Sequence, residues 1–176
     1  MKNVLIIIND GFEECETIAP YDLLKRSGAN VTLASRSEFV KGSHDLVVKS
    51  DLILDDISFD NYDLVVLPGG PEYLKNKEDK LYLNAIAYFI KNKAIASICA
   101  TPTILGTLGY LDNVNYTCFT PMNKDFNGYF TNSKAETCNN IITSRSCGTA
   151  YEFAFEIVKY LYGEKKVKEL KEDILY

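Results

Sequence analysis

The sequence predicts an α/β fold in which a mostly parallel sheet carries helices on both faces, and three observations predict it. Short apolar runs such as Val4-Leu5-Ile6-Ile7-Ile8 and Leu64-Val65-Val66-Leu67 read as buried strands. Segments of helical spacing alternate with these runs from the start of the chain, which is the mark of a parallel sheet crossed over by helices. The 176 residues are 47% hydrophobic and 24% charged, with no repeat, low-complexity tract or linker, so residues 1–176 are read as one domain around one core.

Each element follows in order. Val4–Ile8 is the first strand, and Thr17 is the expected N-cap of a helix that tolerates Pro20 in its first turn, runs through Tyr21–Arg26 and stops before Gly28. Asn30–Ala34 is the second strand. Between Lys41 and Leu54 the runs Leu46-Val47-Val48 and Leu52-Ile53-Leu54 are short and flanked by polar residues, which predicts a small hairpin or an excursion at the sheet edge. Asp63–Leu67 is the third core strand, ended by Pro68-Gly69-Gly70-Pro71. A helix over Leu81–Lys91 then sets Leu83, Ile86, Phe89 and Ile90 on one face. Ile95–Ile98 is a strand that turns at Cys99 into a helix over Pro102–Leu108, and Val114–Phe119 and Ile141–Thr143 are further strand-like segments. Thr149-Ala150-Tyr151-Glu152 has the form of a capping box for a helix that turns Phe153, Ile157, Val158 and Leu161 to the sheet and ends at Gly163. Lys165–Ile174 is a charged terminal helix.

Composition excludes several functions. Nineteen basic and 24 acidic side chains give a net charge of −5, which lacks the field that nucleic acid or an anionic membrane requires of a partner. Residues Ala94–Leu111 carry no charge, but Ser97, Thr101, Pro102 and Gly106 interrupt them, so they read as strand, turn and helix rather than a membrane span. The run Val4–Ile8 is too short for the core of a signal peptide, and the chain is read as cytoplasmic. Five cysteines without a CxxC pair, beside the single histidine His44, match neither ordinary zinc-site spacing nor a disulfide framework. No metal and no organic cofactor is expected.

In open parallel sheets ligands gather at the carboxyl ends of the strands. Three loops fall there: Asp10–Glu16, Pro68–Gly70 and the turn at Cys99. A strand turning at once into a helix through small residues has the geometry of a nucleophile elbow, which makes Cys99 the candidate nucleophile. Helix N-terminal amides are expected to lower its pKa, and the N–H groups of Ala100 and Gly70 to hold an oxyanion. Among the clustered acids, Glu13 and Glu14 suit the helix dipole, while Glu16 is best placed to reach Cys99 with its pKa raised by burial, ready to hold or transfer a proton. Cys15, Cys118, Cys138 and Cys147 are read as small buried hydrophobes, and His44 as a surface or interface residue.

At these residues the chain resembles the ThiJ/PfpI superfamily, and within it the branch of the parkinsonism-associated deglycase. The resemblance rests on four motifs in order: Gly11-Phe12-Glu13-Glu14-Cys15-Glu16-Thr17, Val65-Val66-Leu67-Pro68-Gly69-Gly70, Ser97-Ile98-Cys99-Ala100-Thr101-Pro102-Thr103 and Thr143-Ser144-Arg145-Ser146-Cys147-Gly148-Thr149. It implies a flavodoxin-like three-layer sandwich, a homodimer, and an oxidation-sensitive Cys99 whose thiolate or sulfinate meets a protonated Glu16. The activity it implies is a cofactor-independent glyoxalase or deglycase acting on small reactive carbonyls such as methylglyoxal, with a part in the oxidative-stress response. The alternative it carries is a non-enzymatic redox sensor or chaperone dimer working through oxidation of Cys99. Amidase or protease chemistry fits less, because that branch has histidine directly after the cysteine and this chain has Ala100. Three further departures are His44 where arginine is usual, Thr101 in place of a glycine or alanine, and no histidine in Cys118-Phe119-Thr120-Pro121. The first helix and the Lys41–Leu54 segment are the expected contact surfaces of the dimer.

Overall fold

The computed structural model describes residues 1–176. In chain order the elements are β1 (Asn3–Ile7), α1 (Glu14–Arg26), β2 (Asn30–Ser35), β3 (Phe39–Lys41), β4 (Val47–Lys49), β5 (Leu52–Ile53), β6 (Leu64–Leu67), α2 (Tyr73–Asn76), α3 (Lys80–Asn92), β7 (Ala94–Ile98), α4 (Pro102–Thr107), β8 (Asn115–Tyr116), β9 (Tyr129–Phe130), β10 (Ala135–Cys138), β11 (Ile141–Ser144), α5 (Ala150–Tyr162) and α6 (Glu164–Asp173). Seven strands form the central sheet in the order β10-β11-β7-β6-β1-β2-β5, and every pairing is parallel except that of β10 with β11.

Both faces of the sheet are dry, which is why its strands are continuously apolar. Along β1 and just beyond it, Val4, Ile6 and Ile8 enter the core that holds Leu23 and Leu24 of α1 and Phe153, Ile157 and Val158 of α5. The alternate residues Leu5 and Ile7 enter a second core with Ile86 and Phe89 of α3 and Leu105 of α4. Strand β6 divides in the same way, Leu64 and Val66 to the first core and Val65 and Leu67 to the second. Because β6 lies between β1 and β7, the loops after these three strands meet at one end of the sheet. No helix is long and apolar enough to cross a membrane, and the uncharged run Ala94–Leu111 divides into β7, the Cys99 turn, α4 and the turns after it.

Several boundaries differ from the sequence reading, each for a local reason. Helix α1 is capped by Glu13, whose carboxylate accepts the Glu16 N–H at 2.8 Å, so Thr17 lies inside the helix with its hydroxyl on the Glu13 carbonyl. The capping box near α5 is likewise one turn early: Ser146 and Thr149 bond reciprocally, while Glu152 is drawn away to Lys134 and the Tyr176 hydroxyl. On α3 the buried face includes Tyr82 and Ala85, leaving Leu83 and Ile90 only partly covered.

The runs at Leu46–Val48 and Leu52–Leu54 do not pair with each other. Strand β4 forms a separate antiparallel hairpin with β3, which the sequence reading does not assign, while β5 extends the main sheet beside β2. Of Val114–Phe119 only β8 is a strand, paired with β9 outside the main sheet. The edge strand β10, with Glu136 and Thr137 at its centre, carries too little apolar signal to read as a strand.

Candidate active site

Cys99 follows the last residue of β7 and has φ +66°, a left-handed conformation that costs a non-glycine residue about 1–3 kcal/mol. Its backbone is fixed on both sides: the N–H donates to the Ser144 carbonyl at 3.0 Å and the carbonyl accepts the Phe119 N–H at 2.8 Å. The following turn is tied to the glycine loop, since the Thr101 hydroxyl donates to the Pro68 carbonyl at 2.7 Å. The left-handed turn lifts the thiol out of the sheet to a half-buried position above the strand ends.

Glu16 is fully buried in the first turn of α1. One carboxyl oxygen accepts the Gly69 N–H at 2.8 Å, the other makes no well-formed hydrogen bond, and the carboxyl interacts with the Cys99 thiol. The glycines make this approach possible. A Cβ on Gly69 would stand 2.6 Å from the Cys99 Cβ and 2.7 Å from a Glu16 oxygen. Gly70 has φ +99°, and a Cβ there would meet the Gly11 carbonyl oxygen at 2.5 Å. The Glu13 N–H donates to the Gly69 carbonyl at 2.9 Å, and the Glu72 N–H to the Gly11 carbonyl at 3.2 Å, which locks the first loop to the glycine loop.

The structure therefore brings Cys99, Glu16, Gly70 and Ala100 together, but it corrects the expected basis of thiol reactivity. Helix α4 begins three residues after Cys99 and is only six residues long. Burial and the Glu16 carboxylate push the Cys99 thiol well above the usual thiol range, and the amides of Ala100 and Gly70 oppose them without winning. Burial also raises Glu16, to about 7, against the Gly69 hydrogen bond that favours its anion. Two negative charges in this space are unfavourable, so the thiolate forms when the proton resides on Glu16.

The neighbouring residues divide differently from expectation. Cys118 is buried as expected and Cys138 is half-buried, whereas Cys15 and Cys147 are exposed at the start of α1 and ahead of α5, where the chain turns at the surface. His44 is exposed, and its ring nitrogen Nδ1 lies 2.8 Å from Glu14. Partial burial pushes Glu14 up, but hydrogen bonds from His44 and Ser43 outweigh it and hold the carboxyl down at about 2. Glu13, Glu14 and His44 present ligand atoms within 4.8 Å of one another, the one grouping with a metal-like donor set. Its groups are engaged internally: Glu13 caps α1, and Glu14 bonds both Ser43 and His44.

One acid escapes the sequence reading. Glu72, fully buried behind the glycine loop, accepts the Asn9 N–H, and burial raises its pKa well above the ordinary carboxylate value. The only signal for it is its place two residues after Gly70, inside a loop that otherwise reads as solvent-exposed.

A doubly wound α/β sandwich with a strained cysteine at a strand-to-helix turn, set against a buried glutamate, defines a class of small cysteine-centred proteins. The chain belongs to the DJ-1/PfpI family, whose model matches residues 2–160. It is 34% identical to Drosophila melanogaster dj-1beta over 99% of this chain and 97% of that one. The crystal structure of that protein superposes with a TM-score of 0.91, covering 99% of this chain and 97% of that chain. A deglycase of Pyrococcus abyssi is 33% identical over 90% of this chain and 98% of its own length. A glutathione-independent glyoxalase of Caenorhabditis elegans is 32% identical over 96% and 94%.

Proposed function

We propose that the protein is a cofactor-independent glyoxalase or deglycase that acts on small reactive carbonyls such as methylglyoxal, with Cys99 as nucleophile and Glu16 as acid and base. The observation that carries this reading is the buried Glu16 carboxyl, held by the Gly69 N–H at 2.8 Å against Cys99 and raised to about 7. A general acid-base works best when its pKa lies near the working pH. The names of the relatives, a deglycase and a glyoxalase, point the same way.

The steps balance without a cofactor. Glu16 takes the thiol proton, the thiolate sulfur bonds to the aldehyde carbon, and the carbonyl oxygen takes that proton to give a hemithioacetal. The amides of Ala100 and Gly70 stabilise the oxygen while it is negative. The Glu16 carboxylate then removes the hydrogen from the former aldehyde carbon to give an enediol as the ketone oxygen takes up a proton, and returns that hydrogen to the adjacent carbon while the first hydroxyl gives up its proton, which leaves a lactate thioester. Water cleaves the thioester to lactate and restores the thiol. Metal-free protein is expected to convert methylglyoxal to lactate, and Cys99→Ala to stop at the rate of buffer alone; equal lactate from both proteins would overturn the assignment.

The protein is also proposed to work as a homodimer through α1 and the β3–β4 hairpin. Ile18 on α1 and Phe39, Leu46 and Val47 on and beside the hairpin are exposed apolar side chains of a kind that interfaces cover. Sedimentation at micromolar concentration is expected to show twice the 19.8 kDa chain mass, and a species of 19.8 kDa alone would contradict the dimer.

A further inference from the structure

A cleft of about 260 Å³ has walls that include Phe119, Thr120, Arg145, Ser146 and Gly148. Both walls are anchored to the Cys99 backbone. The Phe119 N–H donates to the Cys99 carbonyl, and the Cys99 N–H donates to Ser144, the residue before Arg145. Arg145 is half-buried. The other two arginines each hold two carboxylates, Arg26 those of Asp22 and Asp173, Arg36 those of Asp55 and Asp79. No carboxylate lies within ion-pair distance of Arg145, and no acidic residue lines the cleft. In a chain of net charge −5, a half-buried arginine without a counter-ion is unusual.

A guanidinium removed from water gains most from a planar or tetrahedral anion that it can grip through two N–H groups. We propose that this cleft is an anion subsite in which Arg145 holds a carboxylate or phosphate group on the carbonyl substrate, so that the site selects negatively charged small carbonyls. This rests on the reading of Cys99 as the group that meets the carbonyl. The shared requirement is an oxyanion a few bonds from the reacting carbon, long enough to bridge from the thiol to the cleft. Arg145 acts by binding; the bond-making groups are Cys99 and Glu16.

The test uses alkylation of Cys99, which reads the subsite whether or not methylglyoxal is turned over. Iodoacetate and iodoacetamide react alike: the sulfur bonds to the methylene carbon, iodide leaves and the thiol proton passes to solvent. They differ in charge at the far end. Their rates at Cys99, followed by peptide mass spectrometry, give a ratio of iodoacetate to iodoacetamide that is expected to fall about tenfold in Arg145→Gln, the scale of one charge-assisted hydrogen bond. Arg145→Lys, which keeps the charge, is expected to retain part of the preference. A ratio unchanged in Arg145→Gln overturns the inference while leaving the lactate assay free to stand or fall separately.

If Arg145→Gln fails to fold, the native protein still decides. Acetate and inorganic phosphate, added separately at matched ionic strength, are expected to slow alkylation by iodoacetate more than by iodoacetamide. The stronger competitor identifies which anion the cleft prefers, and no effect from either overturns the subsite.

Discussion

Glu16→Gln is expected to lower kcat for methylglyoxal by about 10²–10⁴-fold, the usual contribution of a positioned proton-transfer group. The amide keeps the shape and can still accept the Gly69 N–H, but it can neither take the thiol proton nor carry hydrogen between adjacent carbons. The same change should stabilise the fold at alkaline pH. The pKa of Glu16 rises from 4.5 to about 7 on folding, so the folded state holds the proton more tightly than the unfolded chain. Its stabilising contribution is complete below about pH 4.5 and is lost as the pH rises through 7. That difference corresponds to about 3 kcal/mol at most. Urea unfolding of both proteins at pH 4.5 and 8.5 should show Glu16→Gln gaining on the wild type by that order as the pH rises. A stability gap that does not change with pH would mean that the buried carboxyl is not the titrating group, and full activity in the variant would remove Glu16 from the chemistry.

Gly70→Ala is expected to weaken folding by about 3 kcal/mol and to abolish activity in whatever protein still folds. Two effects combine there. The backbone has φ +99°, a conformation open to glycine, and the added methyl would fall 2.5 Å from the Gly11 carbonyl oxygen and 2.6 Å from the Glu13 nitrogen. These are main-chain atoms of the loop that carries Glu16, so relief of the clash must move the acid, the Gly70 amide or both. Gly109 provides the comparison, with φ +79° and nothing within 4 Å of an added Cβ. Gly109→Ala should lose only the conformational part, about 1 kcal/mol. Equal losses at the two positions by chemical denaturation would show that φ alone matters and that the loop contact carries no weight.

The layers of the fold are legible in the sequence because the central strands and the covering helices announce themselves by different apolar periods. Val4–Ile8, Asp63–Leu67 and Ile95–Ile98 are strands within a residue or so of where they read. What escapes is decided by contacts far away in sequence. Strand β10 is polar and exists because β11 offers it an edge, and β3 is defined by β4 across a turn. The meeting of Cys99, Glu16, Gly70 and Ala100 is legible because a small-residue turn, paired glycines and an acid all fall in loops at the carboxyl ends of neighbouring parallel strands, where they converge. The raised pKa of Glu16 is legible too, but that of the thiol is not: burial is a sum over the whole packed core, and only the folded arrangement shows that it outweighs the amides around the thiol. Thr17 and Glu152 mislead for a simpler reason, since Glu13 and Ser146 compete for the same capping positions and win by geometry.

The groups proposed to react are suspended largely from main-chain bonds: Cys99 from Ser144 and Phe119, Glu16 from Gly69, and the two loops from Glu13 to Gly69 and from Glu72 to Gly11. Apart from the glycines, these bonds tolerate many side chains at their ends, because the donors and most acceptors are peptide groups. The side chains that line the cleft proposed as an anion subsite, such as Phe119, Thr120 and Arg145, hang from the same backbone yet take no part in holding the pair together. Inheritance can thus act on the two separately. A descendant lineage that substitutes a wall residue changes what enters while the reacting pair stays in register, and a new preference can arise by single substitutions without passing through an inactive ancestor.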